Sequence, residues 1–215
     1  MWPPVTQMIE RARAIAWTLL LAALLTVPAT ARATGEGGED HAVYRPYFLN
    51  VLVGAGSERD FSELLTDPFS PRPTSDRIFA ISVGREFHRT ADGRLAFEVE
   101  GLYAFHWPDG AYHEFGASVN ARWYDFPWNH HVPTSFAIGV GPSLTTRVPP
   151  IEAERGHHSR LLNQFNLELT GDIAQDSSLA LVLRLQHRSG IFGLINGVHG
   201  GSDFLTFGLK WRFGP

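Results

Sequence analysis

Read at every second position, the segment from Leu179 places Leu179, Leu181, Leu183, Leu185, His187 and Ser189 on one side. Ala180, Val182, Arg184, Gln186 and Arg188 fall on the other. A period of two predicts a β-strand with one apolar and one polar face. The closing segment repeats it, with Asp203, Leu205, Phe207, Leu209, Trp211 and Phe213 against Phe204, Thr206, Gly208, Lys210 and Arg212. Eight alternating segments follow one another between Gly, Pro, Asn or Asp clusters: Tyr47 to Gly54, Arg77 to Phe87, Arg94 to Trp107, Tyr112 to Phe126, Ser135 to Thr145, Leu161 to Ile173, Leu179 to Ser189, and Asp203 to Phe213. Most approach the roughly nine to eleven residues with which a tilted strand crosses a bilayer.

A membrane barrel and a soluble ligand-binding barrel both need two unlike faces, so the content of the faces decides between them. The third segment sets Leu95, Phe97, Val99, Tyr103, Phe105 and Trp107 against Arg94, Glu98, Glu100 and His106. Other polar faces supply Glu114, Arg122, Glu168, Asp172, Arg184, Arg188, Lys210 and Arg212. Opposite charges with small residues fill a narrow interior, so the expectation is all-β: an eight-stranded antiparallel up-and-down transmembrane β-barrel with a filled polar lumen. A filled lumen argues against a diffusive pore. Long connections at Ala55 to Asp76, Thr146 to Arg160 and Gly190 to Ser202 alternate with the shorter His88 to Gly93, Pro127 to Thr134 and Ala174 to Ser178. Pro108 to Ala111 is a short exception on the long-loop side. That asymmetry puts the long loops on the outer side of an outer membrane. Tyr103, Trp107, Trp123, Phe126, Trp128 and Trp211 lie near strand ends, where amphipathic rings favour the interfaces.

The N-terminus is set apart. Arg11 and Arg13 precede an apolar run from Ala14 to Val27, then Pro28 and the small-residue site Ala31, Arg32, Ala33. The run is shorter than the roughly 20 residues of a membrane-spanning helix. It reads as a secretory signal peptide over 1–33, with the barrel domain over 34–215. Cleavage removes three arginines and Glu10, leaving the mature chain more acidic than the net −4 of the whole sequence. Nothing in that balance suggests a nucleic-acid partner. With no cysteine, an exported chain of this kind must be held by packing or by closure of the sheet.

In the expected topology His187, Ser189 and Asp203 all fall on the lipid-facing side near the outer rim. A serine, a histidine and a carboxylate on an apolar surface are the elements of an ester hydrolase acting on lipid. Residues two apart on a strand point the same way, so His187 is placed to act as base toward Ser189. A hairpin pairing Ser189 with Asp203 would set the carboxylate diagonal to the imidazole. The structural alternative is a pair of interfacial polar residues near a headgroup zone. His130-His131 and His157-His158 read as loop histidines because adjacent side chains diverge and no third ligand is suitably spaced. Glu98 and Glu100 are better explained by the charged lumen than by paired acid catalysis. Gly200-Gly201-Ser202 reads as a flexible turn, and no G-x-S-x-G elbow occurs in the sequence. No metal and no organic cofactor is implied.

The stretch Arg184-Leu-Gln-His-Arg-Ser189, the Gly- and Asn-containing loop through Asn196, and the closing strand to Phe213 resemble the outer-membrane lipid A 3-O-deacylases of the PagL type. The resemblance implies His187 as base and Ser189 as nucleophile in an H-x-S element, an acidic partner on the next strand, and a site facing lipid. The family's following Asn is Gly190 here, and its acid is a Glu closer to the histidine than Asp203 is. Asn196 is the oxyanion candidate by the same resemblance. The implied partners are lipid A or lipopolysaccharide, outer-membrane lipid and the barrel-assembly machinery. The end Thr206 to Phe213 also looks like an outer-membrane assembly signal, trailed by Gly214 and Pro215. A non-enzymatic small barrel with a structural or surface-interaction role is the alternative function, and a soluble periplasmic barrel binding an apolar ligand is a third.

Overall fold

A computed structural model describes residues 44–214 apart from 68, 69, 71, 109, 155, 157 and 158. The expected signal segment and the His157-His158 pair lie outside the described residues. In chain order the elements are β1 (Tyr47–Ser57), helix α1 (Phe61–Thr66), β2 (Pro73–Arg89), β3 (Leu95–Trp107), β4 (Tyr112–Trp123), β5 (Thr134–Thr145), helix α2 (Pro150–Glu154), β6 (Leu161–Asp172), β7 (Leu179–Ser189) and β8 (Gly201–Phe213). Each strand pairs antiparallel with the next, and β8 returns to β1 to close the barrel. Closure leaves no strand edge unpaired, which a bilayer requires because lipid cannot satisfy backbone N–H and C=O groups.

The facing follows the period-two pattern. Leu181 and Phe207 are 62% and 64% exposed on the outer wall, whereas Arg184 and Lys210 are each 1% exposed inside. An apolar outside around a charged inside is the arrangement lipid selects, and the reverse of a soluble barrel holding an apolar ligand. At the centre, Glu168 accepts from Arg122 Nη2 and Lys210 Nζ, each at 2.6 Å, and from Arg184 Nε at 2.9 Å. Arg122 also holds Glu98 (2.7 Å) and Arg184 holds Glu100 (2.7 Å). Three carboxylates thus face three cations, so the desolvation of each charge is offset by its neighbours. Beside this network the interior carries an apolar cluster of Leu52, Ile78, Ala80, Leu102, Ala104, Val182 and Phe204, so the lumen is polar only in part.

Several rings sit where amphipathic groups are expected. Trp123 and Trp128, at the inner end, donate through Nε1 to Asp125 O (3.1 Å) and Thr134 Oγ1 (3.0 Å). Trp211 meets Phe213 at a tilt at the same end, and Phe105 stacks with Trp107 at the other.

Two details differ from the sequence expectation. β1 and β2 extend past the wall to the Ser57↔Pro73 pair, with a bulge between Ala55 and Ser57, so the first outer loop is shorter than expected and carries α1 within it. The capping signal Asp60-x-x-Glu63 accounts for that helix: the Glu63 carboxylate accepts from the Asp60 N–H at 3.2 Å. Likewise, Gly200-Gly201-Ser202 is not a free turn, because Gly201 and Ser202 open β8.

Candidate active site at the outer rim

The last turn of the β7–β8 ladder sets the geometry. His187 pairs directly with Asp203, and Ser189 with Gly201. This corrects the expected register, in which Ser189 faced Asp203. The loop over 190–200 closes tightly, through Ile195 N to Gly190 O and Gly193 N to Val198 O, both at 2.9 Å. Gly201 then lets the strands meet one pair sooner, since a Cβ there would stand 1.5 Å from the Arg188 carbonyl oxygen. The result suits the chemistry better than the diagonal did: His187 Nδ1 lies 2.8 Å from Asp203 Oδ1. With Nδ1 engaged, Nε2 is the nitrogen left to act as base.

Asp203 is 2% exposed although it belongs to the outward row. The first outer loop reaches over this end of the wall. The ring of Phe61, on α1, lies 4.6 Å from the His187 imidazole and meets Phe165 of β6 edge-on at 5.5 Å. Arg59 ties that loop together, donating to the Ser70 carbonyl (2.9 Å) and the Asp67 carboxylate (3.2 Å). Phe61 carries no periodic signal in the sequence, and only the fold brings it to the histidine.

Behind the wall, the step between His187 and Ser189 is anchored from inside. Arg188 points inward and binds both carboxylate oxygens of Glu152 on α2. Ser202, the cross-strand partner of Arg188, donates to the same carboxylate at 2.8 Å. Glu152 therefore staples β7 to β8 directly beneath the candidate pair. Burial lifts its carboxyl above the usual glutamate range, against the pull of Arg188.

Asn196 has a left-handed backbone (φ 54°), and its amide donates to Ser159 Oγ (2.9 Å) and to the Leu161 carbonyl (2.8 Å). Both amide protons are thereby committed to pinning the last outer loop over the start of β6. Ile191 and Phe192, just after Ser189, also take positive φ of 49° and 54°. For a β-branched residue that conformation costs on the order of 1–3 kcal/mol. Phe192 and Leu194 project from this loop almost fully exposed.

One polar residue on the outer face escaped the sequence reading. Asn163 pairs with Ser189 across the β6–β7 ladder and shares the outward row with Leu161, Phe165 and Leu167. It is 8% exposed. The signal that could have found it is the one that found His187 and Ser189: a polar residue interrupting an outward apolar row. His130 and His131 meet at a tilt, with ring centres 3.8 Å apart, in an inner turn far along the chain from these residues. Among the described residues, no group of three His, Asp or Glu side chains is arranged to hold a metal ion.

No family model and no curated protein matches the chain. Among solved structures it is similar to the crystal structure of the outer membrane enzyme PagL, with a TM-score of 0.50 and 12% identity over 78% of this chain and 99% of that one. A second likeness is to the outer membrane protein Ail of Yersinia pestis in a phospholipid bilayer nanodisc, with a TM-score of 0.42 and 11% identity over 79% and 100% of the two chains. The PagL likeness bears on fold alone, and it agrees with the closed eight-stranded membrane barrel described above.

Proposed function

We propose that this barrel is an outer-membrane esterase that removes an ester-linked acyl chain from lipid A. The observation that carries the proposal is the 2.8 Å His187–Asp203 contact on the lipid side of the wall, with Ser189 two residues further along the same row. A carboxylate on Nδ1 orients an imidazole and steadies the charge it gains as a base. In this reading the Ser189 oxygen attacks the ester carbonyl, His187 Nε2 takes its proton, and the proton later passes to the departing alcohol. Water then hydrolyses the acyl-serine through the same base. The charged lumen offers no path for an acyl chain, so the substrate arrives laterally in the bilayer. The outward row below the site, with Leu205 and Phe207, supports the chain, and Phe192 and Leu194 sit beside the headgroup zone. Export through the N-terminal segment and insertion by the barrel-assembly machinery belong to the same proposal.

A non-enzymatic surface barrel is the second reading. The observation favouring it is Phe61, whose ring occupies one face of the histidine. The mass of lipid A from cells expressing the wild type or Ser189→Ala separates the two. Loss of one acyl mass in the wild type alone is the expected result. Identical lipid A in both, with both barrels folded, would overturn the esterase.

A further inference from the structure

We infer that Asn163 is the side-chain donor that stabilises the oxyanion of this reaction, the role that the family resemblance implies for Asn196. The inference rests on the esterase reading and adds to it a catalytic residue on a third strand. Acyl transfer needs a hydrogen-bond donor aimed at the carbonyl oxygen as it gains charge, close to the nucleophile. Asn196 is poorly suited, because its two amide protons are held by Ser159 Oγ and the Leu161 carbonyl. Asn163 meets the requirement in three ways.

It stands directly opposite Ser189 in the β6–β7 ladder, on the same outer face, where facing Cβ atoms lie about 4.5–5.5 Å apart. It is more than nine-tenths buried, so a donor there acts away from bulk water, where it is worth more. Neither its amide nor the Ser189 hydroxyl takes part in a side-chain hydrogen bond among the described residues. The polar atoms of Asn163 are not among the fully enclosed, unsatisfied ones, so the amide is open to an oxygen that arrives with the substrate.

The ladder lays the parts out in two adjacent rows. Phe165, His187 and Asp203 form one, and Asn163, Ser189 and Gly201 the other. Base and acid lie to one side of the nucleophile's row and the amide within it. Gly201, on the far side of Ser189, contributes backbone only and lies tight against the Arg188 carbonyl. In the acylation step the Ser189 oxygen bonds to the carbonyl carbon and its proton moves to His187 Nε2. The carbonyl π pair moves onto oxygen, and the resulting alkoxide accepts from Asn163 Nδ2–H. Collapse restores the carbonyl, breaks the bond to the alcohol oxygen and returns the His187 proton to it. Deacylation repeats the sequence with water.

The test uses the full barrel refolded in detergent micelles, with a p-nitrophenyl fatty ester as substrate and an alkyl trifluoromethyl ketone as inhibitor. The ketone adds Ser189 to form a tetrahedral alkoxide, so it reports on the oxyanion site without turnover. Asn163→Ala should lower kcat about 10²–10³-fold with KM changed less than about threefold. Ketone affinity should weaken by a similar factor. Asn163→Asp, nearly the same shape with a negative charge, should lose at least as much while folding normally, which guards against a folding defect in the alanine variant. Asn196→Ala should keep kcat within about tenfold. Wild-type hydrolysis with Asn163→Ala and Asn163→Asp both within threefold would overturn the assignment and leave the esterase standing. So would a loss of kcat in which ketone affinity is unchanged. A wild-type barrel inert toward both ester and ketone would overturn the esterase reading and this assignment with it.

Discussion

Arg188 and Glu152 form an ion pair in the mouth of the barrel, directly behind the strand step that carries His187 and Ser189. The outward pair is thus placed by an inward residue between them. Removing one partner of a buried pair leaves the other charge uncompensated, at a cost of about 3–5 kcal/mol. Glu152→Ala should lower barrel stability by that order in a denaturant titration in micelles, and should weaken activity through the lost β7–β8 staple. An unchanged midpoint would remove Glu152 from the account of the site.

The same carboxyl predicts a pH dependence. Its pKa is raised in the fold by burial, so the folded state binds this proton more tightly than the unfolded chain. A raised carboxyl favours the fold below the unfolded value and loses that advantage as pH rises through the folded value. Relative to Glu152→Gln, wild-type stability should fall as pH climbs from the ordinary glutamate range, about 4.5, through the raised value. A rise over that window would mean that Arg188 outweighs burial.

For the proposed triad the effects should be graded. Ser189→Ala and His187→Ala should remove nearly all triad-dependent rate, because the groups act as a unit. Asp203→Asn keeps the shape but loses the charge at Nδ1, and should reduce kcat about 10²-fold with the barrel intact. Full activity in Asp203→Asn would reduce Asp203 to a rim carboxylate.

Phe61 should shield the histidine. Aromatic contacts of this kind contribute about 0.5–1.5 kcal/mol, so Phe61→Ala should cost little stability. It should, however, speed diethylpyrocarbonate modification of His187 several-fold, read by peptide mass spectrometry. An unchanged rate at His187 would show that α1 does not control access to the imidazole.

The lumen network gives a stability test independent of chemistry. Glu168 bridges Arg122, Arg184 and Lys210, with Glu98 and Glu100 supplying the other two negative charges. Glu168→Gln leaves excess positive charge buried, and should cost about 3–5 kcal/mol. Pairing it with Lys210→Met restores the charge count and should recover part of that loss. Equal stability of wild type and Glu168→Gln would argue that water reaches the network.

The sequence by itself determined the strands, their facing and the chemistry of each face, because side-chain alternation is local and a bilayer imposes it along every strand. It placed Leu181 and Phe207 outside, Arg184 and Lys210 inside, and His187, Ser189 and Asp203 together on the outer row. Asn163 is legible by the same rule, as a polar residue in the outward apolar row of β6. Only the tertiary structure decided the register, since alternation is unchanged when a hairpin slips by two residues. The choice fell to loop closure over 190–200 and to the backbone contact that Gly201 permits. Phe61 over His187 and Glu152 behind Arg188 were also beyond the sequence. Each joins segments far apart in the chain, and a contact between two loops, or between a loop and a wall, leaves no period to read.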